Sequence, residues 1–356
     1  MTDTLAAACR VPAEGPAVWK AADFEHDRSW LHHLSDEQAG CLARAAREFD
    51  GQDLARATPE WVARHLVPLA MLMREVKREL GTRGFVLLRG VPVRELGDKA
   101  GLAFWMLGAL LGTGLTQNAE GDLLCPVTDK GVRFDYSAEA HRSNARGYQS
   151  RADLNYHCDP TDVVALLCVN KAMSGGASTI VSTPAVYNAL LADHPEHMEV
   201  LERGFPYDRK GEQWPQEAPA SPRIPVFVRH GARVSCRYAR SYIEGAAAKL
   251  GTPLEDAERA ALDCFDSVVR RPDMALHMAF EPGDVQLLNN FTVVHGRTAY
   301  EDDPDPARRR FLHRLWLHLG DSPPWKGESQ TMRWAFARFG NLGRTAQEWS
   351  SLRSAS

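Results

Sequence analysis

Residues 154–169 of the chain are LNYHCDPTDVVALLCV, in which the tripeptide His157-Cys158-Asp159 comes just before the apolar run 163–169. A short, β-branched apolar run of this kind is typical of a buried strand. Side chains two residues apart on a strand point to the same face, so His157 and Asp159 can present an imidazole and a carboxylate to one point. The stretch therefore predicts a β core that carries two candidate metal ligands.

The remaining sequence predicts more strands, with helices around them. Apolar runs bounded by glycine or turn residues predict strands at 84–90, 178–181, 224–229, 233–237, 274–280, 284–288 and 311–319. Helical spacing predicts helices at 38–49, from 58 to about 80, and at 96–111, 185–191 and 254–271. We expect an N-terminal helical extension (1–83), a β domain (84–330) with a helical insert at about 185–271, and a tail (331–356).

Composition excludes several classes of protein. The 356 residues include 42 basic and 46 acidic side chains, and the absence of a long basic run argues against nucleic-acid or membrane-surface binding. No run of about 18 apolar residues predicts a spanning helix, and the N-terminus does not resemble a secretory signal. The seven scattered cysteines form no CxxC pair, so we expect reduced thiols in a cytoplasmic protein.

A third metal ligand is predicted at His295, which follows the turn 281–284 and the strand 284–288. Two imidazoles and one carboxylate that leave other coordination positions open favour iron(II). The alternative is a chance His-x-Asp tripeptide, because the chain has 13 histidines. One of the others, His277, lies in a strand-like run and is interpreted as a buried core residue.

Arg310, Leu312 and Arg314 alternate along the strand 311–319, so they share one face. A buried guanidinium needs an anion, and a carboxylate matches its planar fork. The far carboxylate of a dicarboxylic co-substrate, whose 2-oxo acid end chelates the metal, would satisfy Arg310. The alternative is an ion pair with a protein acid such as Glu301 or Asp302.

Five segments in this order resemble the taurine dioxygenase and clavaminate synthase-like family of iron(II), 2-oxoglutarate-dependent oxygenases. They are 155–159 (NYHCD), 174–178 (SGGAS), 282–284 (PGD), 295–298 (HGRT) and 310–316 (RFLHRLW). The resemblance covers about residues 84–319. It implies a mainly β fold with surrounding helices, the double-stranded β-helix or jelly roll.

The resemblance also implies roles for individual residues. His157, Asp159 and His295 match the catalytic metal triad, and Arg310 matches the arginine that binds the distal carboxylate of 2-oxoglutarate. Ser178 lies where the family often has a hydroxyl for that carboxylate, although the register leaves Ser178 and Thr179 as alternatives. Arg314 matches a second arginine near the site.

The implied activity is a dioxygenase reaction with iron(II), 2-oxoglutarate and molecular oxygen. It oxidises, typically hydroxylates, an unactivated C–H bond and releases succinate and CO2; desaturation and cyclisation are alternatives. The substrate is expected to be a small polar metabolite, an amino acid or other carboxylate, with Arg297 and Arg314 as cationic anchors. A zinc hydrolase that uses the same ligands and a non-catalytic jelly-roll binding protein are the competing interpretations.

Overall fold

The computed structural model of the protein describes residues 10–51, 53–132, 134, 136, 137, 143–320, 340 and 342–355. The predicted boundary between β domain and tail at residue 330 lies outside these residues. The described helices are α1 Asp36–Glu48, α2 Pro59–His65, α3 Ala70–Thr82, α4 Val93–Leu96, α5 Ala100–Leu111, α6 Thr183–Asp193, α7 Met198–Arg203, α8 Arg240–Leu250, α9 Asp256–Val269 and α10 Ala346–Ala355. The described strands are β1 Leu31–His33, β2 Phe85–Arg89, β3 Thr113–Leu115, β4 Cys125–Val127, β5 Leu154–His157, β6 Val163–Asn170, β7 Ser174–Gly175, β8 Ser178–Ser182, β9 Phe227–His230, β10 Arg233–Cys236, β11 Leu276–Met278, β12 Val285–Asn289, β13 Val293–Arg297, β14 Tyr300–Glu301 and β15 Phe311–His318.

Two β-sheets form the centre of the molecule. The larger sheet has the order β1-β2-β12-β6-β15-β3, with β4 also paired to β15, and the smaller sheet has the order β11-β8-β13-β5. Along the chain β6, β12 and β15 enter the larger sheet, while β5, β8 and β13 enter the smaller one. Val164 and Leu288 from the larger sheet and Ile180 and Val293 from the smaller one belong to one buried cluster. The alternation therefore builds a shared apolar interior from both sheets.

The strand β15 separates the helical layer from this interior. Its outward residue Leu315 packs under α5, where a Cβ at Gly108 would lie only 2.3 Å from Leu315 Cδ2. The lack of a side chain at Gly108 thus lets α5 lie close to the strand. The opposite face of β15 carries Arg314 inward, as the alternation predicts, and Arg310, the residue before the strand, also borders the interior. In the described part of the chain, no helix is long and apolar enough to cross a membrane.

The N-terminal segment contributes a strand as well as helices. The strand β1 pairs in parallel with β2 at the edge of the larger sheet. The helix α1 starts as predicted, because the Ser35 hydroxyl accepts a hydrogen bond from the Gln38 amide. The sequence did not predict β1, which is only three residues long.

Two predictions for individual segments are wrong. The helix expected from 58 to about 80 is divided into α2 and α3 by a 3-10 turn, Val67–Leu69. Pro68 lies in this turn, and a proline has no amide hydrogen to continue a helix. His277 is exposed on β11 and is therefore not a core residue.

The chain between β8 and β11 covers the region of the predicted insert, whose bounds as a domain stay a prediction. It contains the two expected helices, α6 and α9, together with α7, α8 and the β9–β10 hairpin, of which α7 and α8 were not predicted. The segment after β10 returns to the smaller sheet, where Ala239 forms a bridge with His157. The insert thus contacts the strand that carries the His-x-Asp tripeptide.

Candidate active site

The three predicted metal ligands converge at one end of the smaller sheet. His157 on β5 lies directly opposite His295 on the neighbouring β13. One ligand atom from each of His157, Asp159 and His295 lies within 4.8 Å of the others, and the two imidazole centroids are 4.3 Å apart. Gly296 allows this approach, since a Cβ there would be 2.8 Å from the Leu154 carbonyl oxygen. The described residues contain no second group of this kind.

The surroundings of His157 and His295 favour the neutral form of both imidazoles, which is the form that binds a metal. His157 Nδ1 is 2.9 Å from the Asn155 carbonyl oxygen, so a proton on Nδ1 leaves Nε2, 3.9 Å from Asp159 Oδ1, with a free lone pair. Burial lowers the pKa of His157 and, with the nearby imidazole, lowers the pKa of His295 to about 3. Metal ligation requires deprotonated ligands, and both shifts favour that state.

The Asp159 carboxylate is held by several groups. Burial by itself would raise its pKa, but the Arg314 guanidinium 3.7 Å away and the two imidazoles lower it further than burial raises it. Trp316 Nε1 donates to Asp159 Oδ2 at 3.0 Å, and the Asp159 amide donates to Asn290 Oδ1 at 2.9 Å. The carboxylate is therefore anionic and fixed in orientation.

An arginine from the insert supports the backbone of the same segment. Arg237 is buried, and its Nη1 and Nη2 donate to the carbonyl oxygens of Asp159 and Thr161 at 2.8 and 3.2 Å. The Cys158 amide donates to the Tyr238 carbonyl oxygen at 2.7 Å. The insert thus holds the His-x-Asp segment through main-chain hydrogen bonds.

Arg310 lies inward, with 5% of its surface exposed, and its Nη1 has no hydrogen-bond partner. The main-chain amide of Arg310 donates to Asp302 Oδ1, but no carboxylate of the described residues forms an ion pair with its guanidinium. The predicted alternative of a protein acid partner is therefore wrong for Glu301 and Asp302. Burial lowers the pKa of Arg310 by more than the nearby Tyr300 and Asp302 raise it.

Ser178 lies on β8 and borders the same cavity as Arg310, whereas Thr179 does not border it. The Ser178 hydroxyl donates to Gln286 Oε1 at 3.0 Å. In this arrangement the hydroxyl proton is already used, and Ser178 offers its lone pairs to the cavity. It would have to rotate before it could donate to an anion.

Arg297 is a second buried cation beside Arg310. Its Nη2 donates to the carbonyl oxygen of Ser150 at 2.8 Å and also to that of Ala152, while its Nε and Nη1 have no partner. The guanidinium carbons of Arg297 and Arg310 lie 4.7 and 5.0 Å from the centre of the same ring, Tyr300. Burial and the charge of Arg310 lower the pKa of Arg297 to about 10.

Arg314 is directed toward the metal ligands. Its Nε donates to Gln117 Oε1 at 2.8 Å, and the Gln117 amide group donates back to the Arg314 carbonyl oxygen at 2.9 Å. The guanidinium carbon lies 4.7 Å from the Tyr148 ring centre, and Nη2 has no partner. Arg314 is thus fixed on one side and open on the other.

All six predicted site residues border one cavity of about 890 Å³, including its open mouth. Asp159 is the only carboxylate among the described lining residues. The cavity also has five arginines, two of which, Arg146 and Arg240, pair with acids behind it. The remaining three are Arg297, Arg310 and Arg314. The cavity is therefore electropositive apart from its metal-binding end.

Two supporting residues were not predicted: Arg237 and Trp316. Trp316 continues the alternation of Arg310, Leu312 and Arg314 on β15, so the strand pattern could have identified its inward direction. Arg237 contacts the site from a segment distant in sequence, and no local pattern marks it.

A cavity with two imidazoles and a carboxylate at one end and buried arginines at the other defines a metal-dependent oxygenase site. Residues 55–316 match the model of the family described as "Taurine catabolism dioxygenase TauD, TfdA family". The chain belongs to this family. It is an iron(II)- and 2-oxoglutarate-dependent dioxygenase, as the resemblance implied.

Two relatives extend the match over most of the chain. The chain is 32% identical over 333 residues to FR-33289 synthase of Streptomyces rubellomurinus (strain ATCC 31215). This match covers 91% of this chain and 95% of that protein. It is 27% identical over 323 residues to the taurine hydroxylase-like protein SAT17 of Stachybotrys chartarum (strain CBS 109288 / IBT 7711), with 87% and 80% covered.

Solved structures share the fold. An asparagine oxygenase in complex with Fe(II), 2S,3S-3-hydroxyasparagine and succinate matches with a TM-score of 0.64 at 18% identity, over 82% of this chain and 94% of that one. The non-haem iron oxygenase OrfP in complex with Fe and alpha-ketoglutaric acid matches with a TM-score of 0.58 at 18% identity, over the same shares.

Proposed function

We propose that the protein oxidises a C–H bond of a small anionic metabolite, with His157, Asp159 and His295 as iron ligands. The observation that carries this proposal is the convergence of their ligand atoms within 4.8 Å at one end of the cavity. Arg310, Ser178 and Arg314 line the rest of it. We further propose that the two sheets form a double-stranded β-helix within 84–330, with the insert and the N-terminal segment packed outside it.

The donor set fits iron(II). Two neutral imidazoles and one carboxylate suit a borderline ion, and ligands that come only from β5, the residues directly after it and β13 leave the cavity side of the metal open. Trp316 and Asn290 orient the Asp159 carboxylate and its amide, as supporting residues do in metal sites. The bound metal and 2-oxoglutarate together supply the oxidising chemistry, with oxygen as oxidant and succinate and CO2 as products.

The chain's own contribution is binding and orientation. Arg310, with an unpaired Nη1 in a buried position, offers a charge-assisted hydrogen bond to the distal carboxylate of 2-oxoglutarate. Holding that carboxylate would direct the 2-oxo acid end toward His157 and His295. The buried surroundings exclude water from the reacting groups.

The charge of the cavity indicates the substrate class. Arg314 Nη2 is buried without a partner beside the metal ligands, and the ring of Tyr148 lies against the guanidinium. Asp159 is the only carboxylate among the described lining residues, so a cationic group on the substrate would find no other acid there. A substrate with an acidic group therefore suits the cavity better than its neutral amide.

The reaction itself provides the first test. We expect the iron-loaded protein to form succinate and CO2 from 2-oxoglutarate under oxygen, slowly alone and faster when a substrate is added. A panel of paired acids and amides, such as glutamate with glutamine, should show faster succinate release with acids. Absence of succinate under all conditions contradicts the proposal.

The zinc hydrolase and the binding protein are distinguished in the same assay. Zinc-loaded protein should release no succinate, because zinc has no redox chemistry. Hydrolytic activity with zinc but none with iron would favour the hydrolase. The zinc interpretation also gives no role to Arg310, whose buried guanidinium has no ion-pair partner among the described residues.

The cellular location is proposed to be the cytoplasm. Cys41, Cys125, Cys158, Cys168, Cys236 and Cys264 are free thiols. Free, mostly buried thiols are typical of a reducing compartment.

A further inference from the structure

Two buried arginines, Arg297 and Arg310, face the same part of the cavity, and neither forms an ion pair with the described residues. Both guanidinium groups lie against the Tyr300 ring, at 4.7 and 5.0 Å from its centre. Two like charges buried together are costly unless an anion compensates them. The structure therefore has more positive charge here than one structural arginine would explain.

One nitrogen of the Arg297 guanidinium forms hydrogen bonds, and the other two form none. Nη2 anchors the 150–152 segment through the Ser150 and Ala152 carbonyl oxygens, which is a structural role. Nε and Nη1 are buried, and neither has a partner. A purely structural arginine would not need two unsatisfied donors, because a buried donor without a partner is destabilising.

The spacing between His295 and Arg297 along β13 is similar to the length of 2-oxoglutarate. Arg297 is two residues beyond His295 on β13, so both side chains point to the same face of the smaller sheet. Two residues of strand span about 7 Å, roughly the length of an extended five-carbon diacid. Ser178, directly opposite Arg297 on β8, also faces inward.

The Ser178 hydroxyl is not available as a donor to the distal carboxylate of 2-oxoglutarate. Ser178 donates its proton to Gln286, so the donors available to a carboxylate are the arginine N–H groups. We propose that Arg297 is a second cation for the distal carboxylate of 2-oxoglutarate and forms a two-arginine clamp with Arg310. This inference rests on the proposed role of Arg310 and extends it.

The test compares two ligands that differ only at the distal carboxylate. Binding of 2-oxoglutarate and of 2-oxopentanoate, which has the same chain without that carboxylate, is measured anaerobically with the iron(II)-loaded protein. We expect Arg297→Gln to weaken 2-oxoglutarate binding by on the order of tenfold to a hundredfold, as for loss of a charge-assisted hydrogen bond. Binding of 2-oxopentanoate should not change.

A matched control is Arg151→Gln. Arg151 lies between the two residues whose carbonyls bind Arg297, but its side chain is 57% exposed and pairs with Asp129. We expect this variant to bind both ligands as the unaltered protein does. If Arg297→Gln does not fold, Arg297→Lys keeps the charge without the fork and should weaken 2-oxoglutarate binding by a smaller factor.

The outcomes separate the two proposals. Equal weakening of both ligands by Arg297→Gln, or no weakening of either, would leave Arg297 with a structural role only and overturn the clamp. Arg310→Gln serves as the reference, since it should reduce the preference for 2-oxoglutarate over 2-oxopentanoate at least as much as Arg297→Gln does. If Arg310→Gln leaves that preference unchanged, the proposed role of Arg310 fails instead.

Discussion

The two ends of the cavity differ in how the charges of their buried side chains are compensated. At the metal end, Asp159 accepts from Trp316 and its amide donates to Asn290, while His157 donates to a main-chain carbonyl. At the other end, Arg297 and Arg310 keep buried N–H groups without partners. The first end is built to hold an ion in a fixed geometry, whereas the arginines of the second form no ion pair with the described residues.

The largest expected effect comes from removing one of the three proposed metal ligands. His157→Ala leaves two ligands, which hold iron(II) too weakly for turnover, so succinate formation should fall to the level of metal-free protein. His277→Ala is the matched control, because His277 is exposed on β11 of the same sheet. Sustained succinate release by His157→Ala would remove His157 from the ligand set.

Removing Arg310 should affect the KM for 2-oxoglutarate more than it affects kcat. Arg310→Ala should raise the KM for 2-oxoglutarate by on the order of tenfold to a hundredfold with a smaller change in kcat, since it removes a binding contact. The neighbouring Arg309, exposed on the surface, provides the control as Arg309→Ala. An unchanged KM in Arg310→Ala would place the carboxylate elsewhere in the cavity.

A smaller effect is expected when the metal ligand Asp159 is kept but a hydrogen bond that orients its carboxylate is removed. Trp316→Phe deletes the hydrogen bond to Asp159 Oδ2 and keeps an aromatic ring. Iron(II) affinity should fall by about tenfold to a hundredfold, as for other supporting residues of metal sites. Trp19→Phe, which loses a hydrogen bond to the Arg83 carbonyl far from the cavity, should retain full affinity.

The smallest effect lies outside the cavity, on the outward face of β15. Burial lowers the pKa of His313 to about 4. Between about pH 6.5 and pH 4 the unfolded chain binds a proton that the folded protein does not, so acid lowers the free energy of unfolding. His313→Gln should reduce this loss by about 1 to 2 kcal/mol between about pH 7 and pH 5 in denaturant titrations.

Exposed His33 supplies the comparison, because His33→Gln should leave the acid-induced loss unchanged. If His313→Gln loses stability with acid as steeply as the unaltered protein, His313 does not stay neutral in the folded state.

Local patterns were sufficient for the strands that carry the site. Alternation on a strand predicted that His157 and Asp159 present their side chains to one point and that Arg310 and Arg314 point inward. In the structure all four border the cavity, although Asp159 lies two residues beyond the end of β5 and Arg310 lies just before β15. His295 was predicted from its position after a turn and a strand, and Ser178 from the family resemblance; both border the same cavity. The domain boundaries and the roles of these residues stay predictions.

Contacts between distant segments were beyond these patterns. Gln117 holds Arg314 across 197 positions, and Arg237 reaches the Asp159 carbonyl across 78. Neither sequence neighbourhood contains a motif, because the partner is set by tertiary packing. The unpaired donors of Arg297 depend on the same packing, and the sequence left open whether Arg297 is an anchor or a structural residue.

The most direct test is an anaerobic titration of the metal-free protein with iron(II) and then 2-oxoglutarate, followed by visible absorption. The account predicts a charge-transfer band that saturates at one iron per chain, fails to form with zinc, and is lost in a variant with both His157→Ala and His295→Ala. A band of undiminished strength in that double variant, or no band in the unaltered protein, would contradict it.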